Sequence, residues 1–381
     1  MNFNLNAYLN ELEELVNMDS GQGNPRGITA VAEYFAKRLE ARGWIARLLD
    51  VGAETGLCAV VKNREAERFD ALLVGHVDTV FPMGETARRP FYKDETRAYG
   101  LGVLDMKQGC LAMLYALEAL PKEALEKLSL VAIFNPDEEI GSPYSAPLID
   151  RYAARADRAF VFEAASTDGS RTVQRKGATK YKIAYHGKAG HAGYLFDGRS
   201  LSAVNEMLDW AQAYRALQSE ARGTGVNVGV VRGGEKYNIV PDYAQMSVEI
   251  RYETREEHEK TLACTEALKA HAKKTGVGVE FLECSSTPPL VPTEEALAYA
   301  QRVQAIAEGL GCPFQLKKRG GLSDANHIAV HCPVCLDGMG PTGDDDHSDK
   351  EYLELSTVEP SVRLTHAILM DIMNIKEEQG L

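Results

Sequence analysis

Between Trp44 and Phe162 short apolar runs recur with a helix-periodic stretch among them, and that alternation commits this part of the chain to layered α/β packing. Strand-like runs cover Trp44 to Val51, Cys58 to Lys62, Ala71 to Val74, Leu128 to Phe134 and Arg158 to Phe162. A helix is expected from about Met106 to Leu120, because Leu111, Leu114 and Leu117 share a face and Pro121 ends it. Ahead of these runs, Leu5, Tyr8, Leu9, Leu12, Leu15 and Val16 keep helical spacing. A second helix carries Ile28, Val31, Phe35 and Leu39 and stops at Gly43.

The pattern changes near Thr172. Thr179 to His186 reads as a strand, Leu201 to Leu217 as a helix, Val226 to Val231 and Ala244 to Tyr252 as strands, Arg255 to Lys274 as a helix, and Val277 to Cys284 as a strand. This β-α-β-β-α-β order is that of a ferredoxin-like α+β unit. After it come a helix from Thr293 to Leu310, a turn at Gly320 and Gly321, a strand from Pro333 to Asp337, an acidic loop and a terminal helix. At 381 residues the chain exceeds what one core usually supports. We therefore expect one domain from 1–171 with 286–381, and an inserted domain from 172–285.

Metal-liganding residue types stand where the strands of the first domain end. His76 closes ALLVG, and Asp78 follows two residues later, so its carboxylate can hydrogen-bond the ring nitrogen that faces away from a metal. Asp105 lies between GLGVL and a helix, Glu138 and Glu139 follow SLVAIFN, Glu163 closes RAFVFE, and His347 sits in the acidic loop. Any one of these alone would read as an ordinary hydrogen-bonding loop residue. Adjacent glutamates after an apolar strand are harder to explain by packing, since an ionised Glu is rarely buried unless paired or metal-bound. Two imidazoles and three carboxylates suit two zinc-type ions sharing a carboxylate, each with three protein ligands and room for water. Ligands of such sheets gather at the carboxyl ends of the strands.

Composition narrows the alternatives. Hydrophobic residues at 45% and charged residues at 25% are those of an ordinary globular protein. A net charge of -13 argues against nucleic acid, whose phosphates require a basic footprint. The start MNFNLNAYLNELEELV has neither a basic nor an apolar leader region, and no run approaches the ~20 apolar residues of a membrane span, so a cytoplasmic location without membrane contact is expected. Seven scattered cysteines form no disulfide framework, and Cys332 and Cys335 read as buried strand thiols because no second close pair completes a zinc knuckle. Gly100-Leu-Gly102 lacks the third glycine of a dinucleotide loop.

The blocks GHVDTVFP, GLGVLDMKQG, NPDEEIGS, FEAA, GKAGHAG, GGLSDAN and DDDHSDKEYLEL together resemble the dinuclear zinc amidohydrolases: glutamate carboxypeptidase, acetylornithine deacetylase and succinyl-diaminopimelate desuccinylase. The resemblance covers nearly the whole chain and is nearest to glutamate carboxypeptidase. It implies a zinc-exopeptidase-like layered α/β catalytic domain with an inserted lid and dimerisation domain. It further implies that Asp105 bridges two ions, that His76 and Glu163 complete one site and Glu139 and His347 the other, and that Glu138 is the general base acting on a metal-bound water. His191 in GKAGHAG matches a histidine that polarises the scissile carbonyl in the partner subunit's site. Arg251 matches the arginine for the substrate carboxylate, Asn238 an asparagine of that pocket, and Gly321 a point of close substrate approach.

Arg175 and Lys176 read as a solvated basic pair, and Asp324 as a helix cap without a catalytic role. The run Asp344 to Asp346 departs from the more apolar approach of carboxypeptidase relatives. The resemblance implies a cytoplasmic, homodimeric, two-metal hydrolase that cleaves an amide next to a free carboxylate in a small peptide. The alternative is an N-acyl-amino-acid deacylase of the acetylornithine or succinyl-diaminopimelate kind.

Overall fold

The computed structural model describes residues 2–52, 54–195 and 197–378. The described residues divide into two compact units, one within 1–174, 292–319 and 323–381, and one within 175–291 and 320–322. The inserted unit thus begins and ends a few residues later than 172–285. The reason lies in pairing: the last long strand runs on to Thr287, and Leu290 still bridges to Arg175. The segment around Gly321, expected in the first domain, falls in the second unit.

The first unit is built on a six-stranded sheet in the order Val334–Leu336, Arg158–Val161, Ala71–His76, Leu130–Asn135, Leu57–Lys62, Ile45–Asp50. The first four strands are parallel, Leu57–Lys62 runs against them, and Ile45–Asp50 reverses again. Ala71–His76 and Leu130–Asn135 are buried at every position, as expected where both faces of a sheet are covered. Covering helices include Pro25–Glu40, started by Pro25 and capped by Asn24, which accepts from the Gly27 N–H. Phe35 from this helix stacks on Phe134 with centroids 4.5 Å apart, and emptying that contact by Phe35→Ala would cost about 3–5 kcal/mol. The Gln108–Glu118 helix is buried almost throughout, which explains its apolar run better than a single helix face does.

Register decides where polar groups emerge. His76 pairs with Asn135 and Val74 with Val161, so residues following Asn135 and Val161 come out at the same edge as His76. A second sheet in this unit joins Gly340–Asp344, Tyr352–Glu354 and Arg97–Tyr99, with Tyr352 opposite Tyr99.

The second unit has a four-stranded antiparallel sheet ordered Gly225–Gly233, Tyr243–Tyr252, Gly177–His186, Gly278–Thr287. Numbered along the unit this is 2-3-1-4, the ferredoxin-like arrangement. Burial alternates along Tyr243–Tyr252 with period two. The buried side, with Ile183, Tyr185, Met246 and Ile250, packs on Trp210 and Tyr214 of the Ala203–Ala216 helix and Leu268 of Arg255–Thr275.

Candidate functional site

His76 ends its strand with its ring buried. Its Nε2 lies 2.9 Å from Asp105 Oδ1 and 3.7 Å from Glu163 Oε1. The other Asp105 oxygen, Oδ2, is 3.0 Å from His347 Nε2, and Glu139 Oε2 is 3.3 Å from that same nitrogen. One carboxylate thus spans two imidazoles. His347 reaches this place from a left-handed backbone at φ 59°, a conformation that costs a non-glycine residue roughly 1 kcal/mol or more.

The glutamate pair sits on a turn after Leu130–Asn135. Gly141 and Ser142 N–H groups donate to the Glu138 and Asp137 carbonyls at 2.6 and 2.8 Å, and Gly141 supplies φ 90°. Glu139 Oε1 accepts from Val80 N–H at 3.1 Å, leaving Oε2 toward His347. Asp78 does more than expected. Its carboxylate accepts from the N–H groups of Glu138 and Glu139 at 3.2 and 3.0 Å. The His76 Nδ1 has the Asp78 backbone carbonyl nearest at 3.1 Å, with Oδ1 at 3.4 Å. Asp78 therefore ties the glutamate turn to the histidine strand.

Asp324 does not cap its helix. Its buried carboxylate accepts from Asn135 Nδ2 at 2.8 Å and Ser142 Oγ at 2.5 Å, bracing the same turn from behind. Arg175 is likewise not solvated: it is buried and donates through Nη1 to the Gly321 and Leu322 carbonyls at 3.2 and 3.3 Å. Cys332 and Cys335 are buried thiols flanking the start of Val334–Leu336.

One residue of the site, Glu351, has no counterpart among the sequence expectations. Glu351 is buried and accepts from the N–H groups of Gly102, Leu104 and Asp105 at 2.9, 2.7 and 2.9 Å. Because its partners are backbone amides, no side-chain motif announces it; the only cue is a carboxylate just before the strand Tyr352–Glu354. Asp346, from the acidic run that departs from the carboxypeptidase pattern, lies with Asp105 and His347.

The electrostatics reflect this crowding. Burial pushes Glu138 well above the ordinary carboxylate range, and the neighbouring Glu163, Asp324 and Glu139 add to it. Burial raises Glu139 too, against its contact with His347. Burial also acts to raise Asp105, but bonds to His347 and His76 outweigh it and hold this carboxyl low. His347 is pushed up to about 11 by Asp105 and Glu139. Burial disfavours charge on His76, yet Asp105 and Asp78 raise it well above its usual value.

Ligand atoms of His76, Asp105 and Glu139 lie within 4.8 Å of one another, as do those of His76, Glu138 and Glu163, and those of Asp105, Asp346 and His347. Oxygen and imidazole nitrogen donors at this spacing fit divalent ions, and the clustered carboxylates provide the negative charge that such ions neutralise.

The substrate-site candidates lie in the second unit. Gly190–His191 pairs with Ile239–Val240, and Ala192 N–H donates to the Asn238 carbonyl at 3.1 Å, so His191 and Asn238 are neighbours. His191 is exposed, with Nδ1 accepting from Gly193 N–H at 3.1 Å. Arg251 donates to Glu249 Oε1 at 2.7 Å and to the Gly320 carbonyl at 2.6 Å, next to Gly321. It also lines an open cavity of about 650 Å³ with Lys176, Asn227 and Glu253.

Residues 72–371 match the description of peptidase family M20/M25/M40. Carboxypeptidase G2 of Pseudomonas sp. (strain RS-16) is 27% identical over 371 residues, covering 96% of this chain and 89% of its own. Acetylornithine deacetylase of Myxococcus xanthus is 30% identical over 262 residues, covering 63% and 65%. Among solved structures, aminopeptidase PepT from Bacillus cereus superposes with a TM-score of 0.74 at 23% identity, covering 97% of this chain and 99% of its own. The metallo-carboxypeptidase Sso-CP2 from Sulfolobus solfataricus gives 0.69 at 17%, covering 96% and 99%. Both likenesses concern the fold.

Proposed function

Because the chain belongs to peptidase family M20/M25/M40, whose members are metal-dependent hydrolases, we propose that it cleaves an amide next to a free carboxylate in the manner of a glutamate carboxypeptidase. The observation that carries this reading is Asp105 presenting one oxygen to each of two imidazoles, at 2.9 and 3.0 Å, beside the Glu138–Glu139 turn. His76, Glu163 and Asp105 would hold one ion, and Asp105, Glu139 and His347 the other. When bound, the two divalent ions, zinc by the donor set, polarise the scissile carbonyl and acidify the attacking water.

The chain's own groups do the rest. Glu138 takes the proton from that water and passes it to the leaving amine. Asp78 keeps Glu138 and His76 in register. His191 donates to the developing oxyanion from the partner subunit of a homodimer. The Arg251 guanidinium receives the substrate carboxylate as a planar fork of donors, with Asn238 and the Gly321 backbone beside it. Among the described residues no helix is long and apolar enough to cross a membrane. All seven cysteines are thiols, which suits the cytoplasmic location included in this proposal.

Similarity to the deacetylase favours a second reading, removal of an acyl group from an N-acyl amino acid, with the same metal centre and a different pocket. A hydrolysis panel of peptidyl-glutamates, N-acetylornithine and N-succinyl amino acids separates the two. Each substrate is paired with its α-carboxamide. We expect glutamate substrates to lead and carboxamides to fail. Arg251→Ala should lower kcat/KM on the carboxylate forms by roughly ten- to a hundredfold. Equal wild-type turnover of carboxylate and carboxamide would remove the role of Arg251, and a lead for the acyl substrates would favour the second reading.

A further inference from the structure

A metal ligand keeps its geometry only if the backbone carrying it is fixed, and the Asp105 segment is an irregular turn. Gly102 opens it at φ 71°, where a Cβ would stand 2.5 Å from Thr79 Cγ2 and 3.2 Å from the Asp105 carbonyl oxygen. Asp105 and Met106 inside the turn have non-helical backbone angles, so regular helix bonding does not secure them. The N–H groups of Gly102, Leu104 and Asp105 instead converge on one point, an anion-holding concavity of backbone amides.

The group that fills that concavity is the Glu351 carboxyl, 2% exposed; burial pushes it up to about 8, and the three amide bonds act against that rise. Oε1 accepts from Leu104 and Asp105 N–H and Oε2 from Gly102 N–H. Strand register brings it there, since Tyr352 stands opposite Tyr99 just before the turn begins. The short segment from His347 to Glu351 therefore supplies both a candidate ligand and the clamp on the opposite candidate ligand.

We propose that Glu351 is a positioning residue of the metal centre: it holds the Gly102–Asp105 backbone so that the two Asp105 oxygens face His76 and His347. This rests on the reading of Asp105 as a shared metal ligand. Both Glu351 oxygens are taken up by backbone amides, so the role proposed for it is positioning and not ligation. Carboxamide replacement is the sharpest probe, because Gln keeps size and one acceptor while its NH2 group meets an N–H with another donor.

The test compares Glu351→Gln, Glu351→Asp and Glu354→Gln with wild type by two readouts. Glu354 pairs with Arg97 and serves as the neighbouring control. In metal-free protein, hydrogen exchange of the Gly102, Leu104 and Asp105 amides should speed up by about tenfold or more in Glu351→Gln and stay unchanged in Glu354→Gln. The second readout is a titration with cobalt(II): its affinity should fall roughly ten- to a hundredfold in Glu351→Gln and its absorption bands should shift, with Glu351→Asp partly restoring both. A role confined to overall stability would lower the melting temperature and speed the exchange of all amides together without moving the bands.

Unchanged protection of the three amides in folded Glu351→Gln would overturn the proposal, as would wild-type cobalt affinity and spectrum. If Glu351→Gln does not fold, Glu351→Asp decides by the same readouts. Failure of wild type to bind cobalt would contradict the metal reading, and with it the consequence drawn for Glu351, while the exchange result reports separately on the clamp.

Discussion

Asp105 Oδ2 lies 3.0 Å from His347 Nε2 although 242 residues separate them in the chain. Since the other Asp105 oxygen meets His76, removing this carboxylate should affect both halves of the centre at once. Asp105→Ala should release both ions together, whereas His347→Ala should chiefly weaken one. Metal content by mass spectrometry after dialysis checks this. Two ions retained at normal affinity in Asp105→Ala would be incompatible with a shared ligand.

Both imidazoles face Asp105 through Nε2, the nitrogen an ion would take, and their raised pKa values favour protons on the rings. Asp105 and Glu139 raise His347 to about 11, and Asp105 and Asp78 raise His76 against its burial. An ion must displace these protons. Binding two ions at pH 7 should release protons, those of the two imidazoles and any held by the raised Glu138 and Glu139, and affinity should climb as pH rises because the competing protonated form is lost. Calorimetry in buffers of different ionisation enthalpy measures the release. A pH-independent affinity with no proton release would contradict the arrangement.

His191 lies in the inserted unit, on a two-residue ladder beside Asn238. If it serves the partner's site, His191→Ala and Glu138→Gln subunits, each nearly inactive alone, should regain activity in hybrid dimers. One of the two sites then has its own Glu138 and the partner's His191. Verified hybrids without recovery would assign His191 to its own subunit or to no catalytic role.

What could be read from the sequence was set by the range of the physical signal. Apolar runs located the strands because packing on both sheet faces leaves a residue-by-residue trace, and His76, Glu139 and Glu163 stood out because charge follows directly on those runs. Glu351 and the Asp324–Asn135–Ser142 network left no such trace, since they act on backbone amides or on residues far away in the chain. Asp324 misled for a related reason. A carboxylate before a helix normally caps it, but here the polar partners Asn135 and Ser142 draw it into the core. The end of the inserted unit was missed because its final strand continues through polar residues, where hydrophobic alternation says little.

The most direct test of the central claim is peptidyl-glutamate turnover measured against zinc equivalents added to metal-free protein, for wild type and Glu138→Gln in parallel. Wild-type turnover should develop as the protein fills to two equivalents. Glu138→Gln should bind the same two equivalents and remain slower by about 10²–10⁴-fold, because the ligands stay while the base is lost. Full turnover without added metal under a strong chelator, or wild-type turnover by Glu138→Gln with both ions bound, would contradict the account.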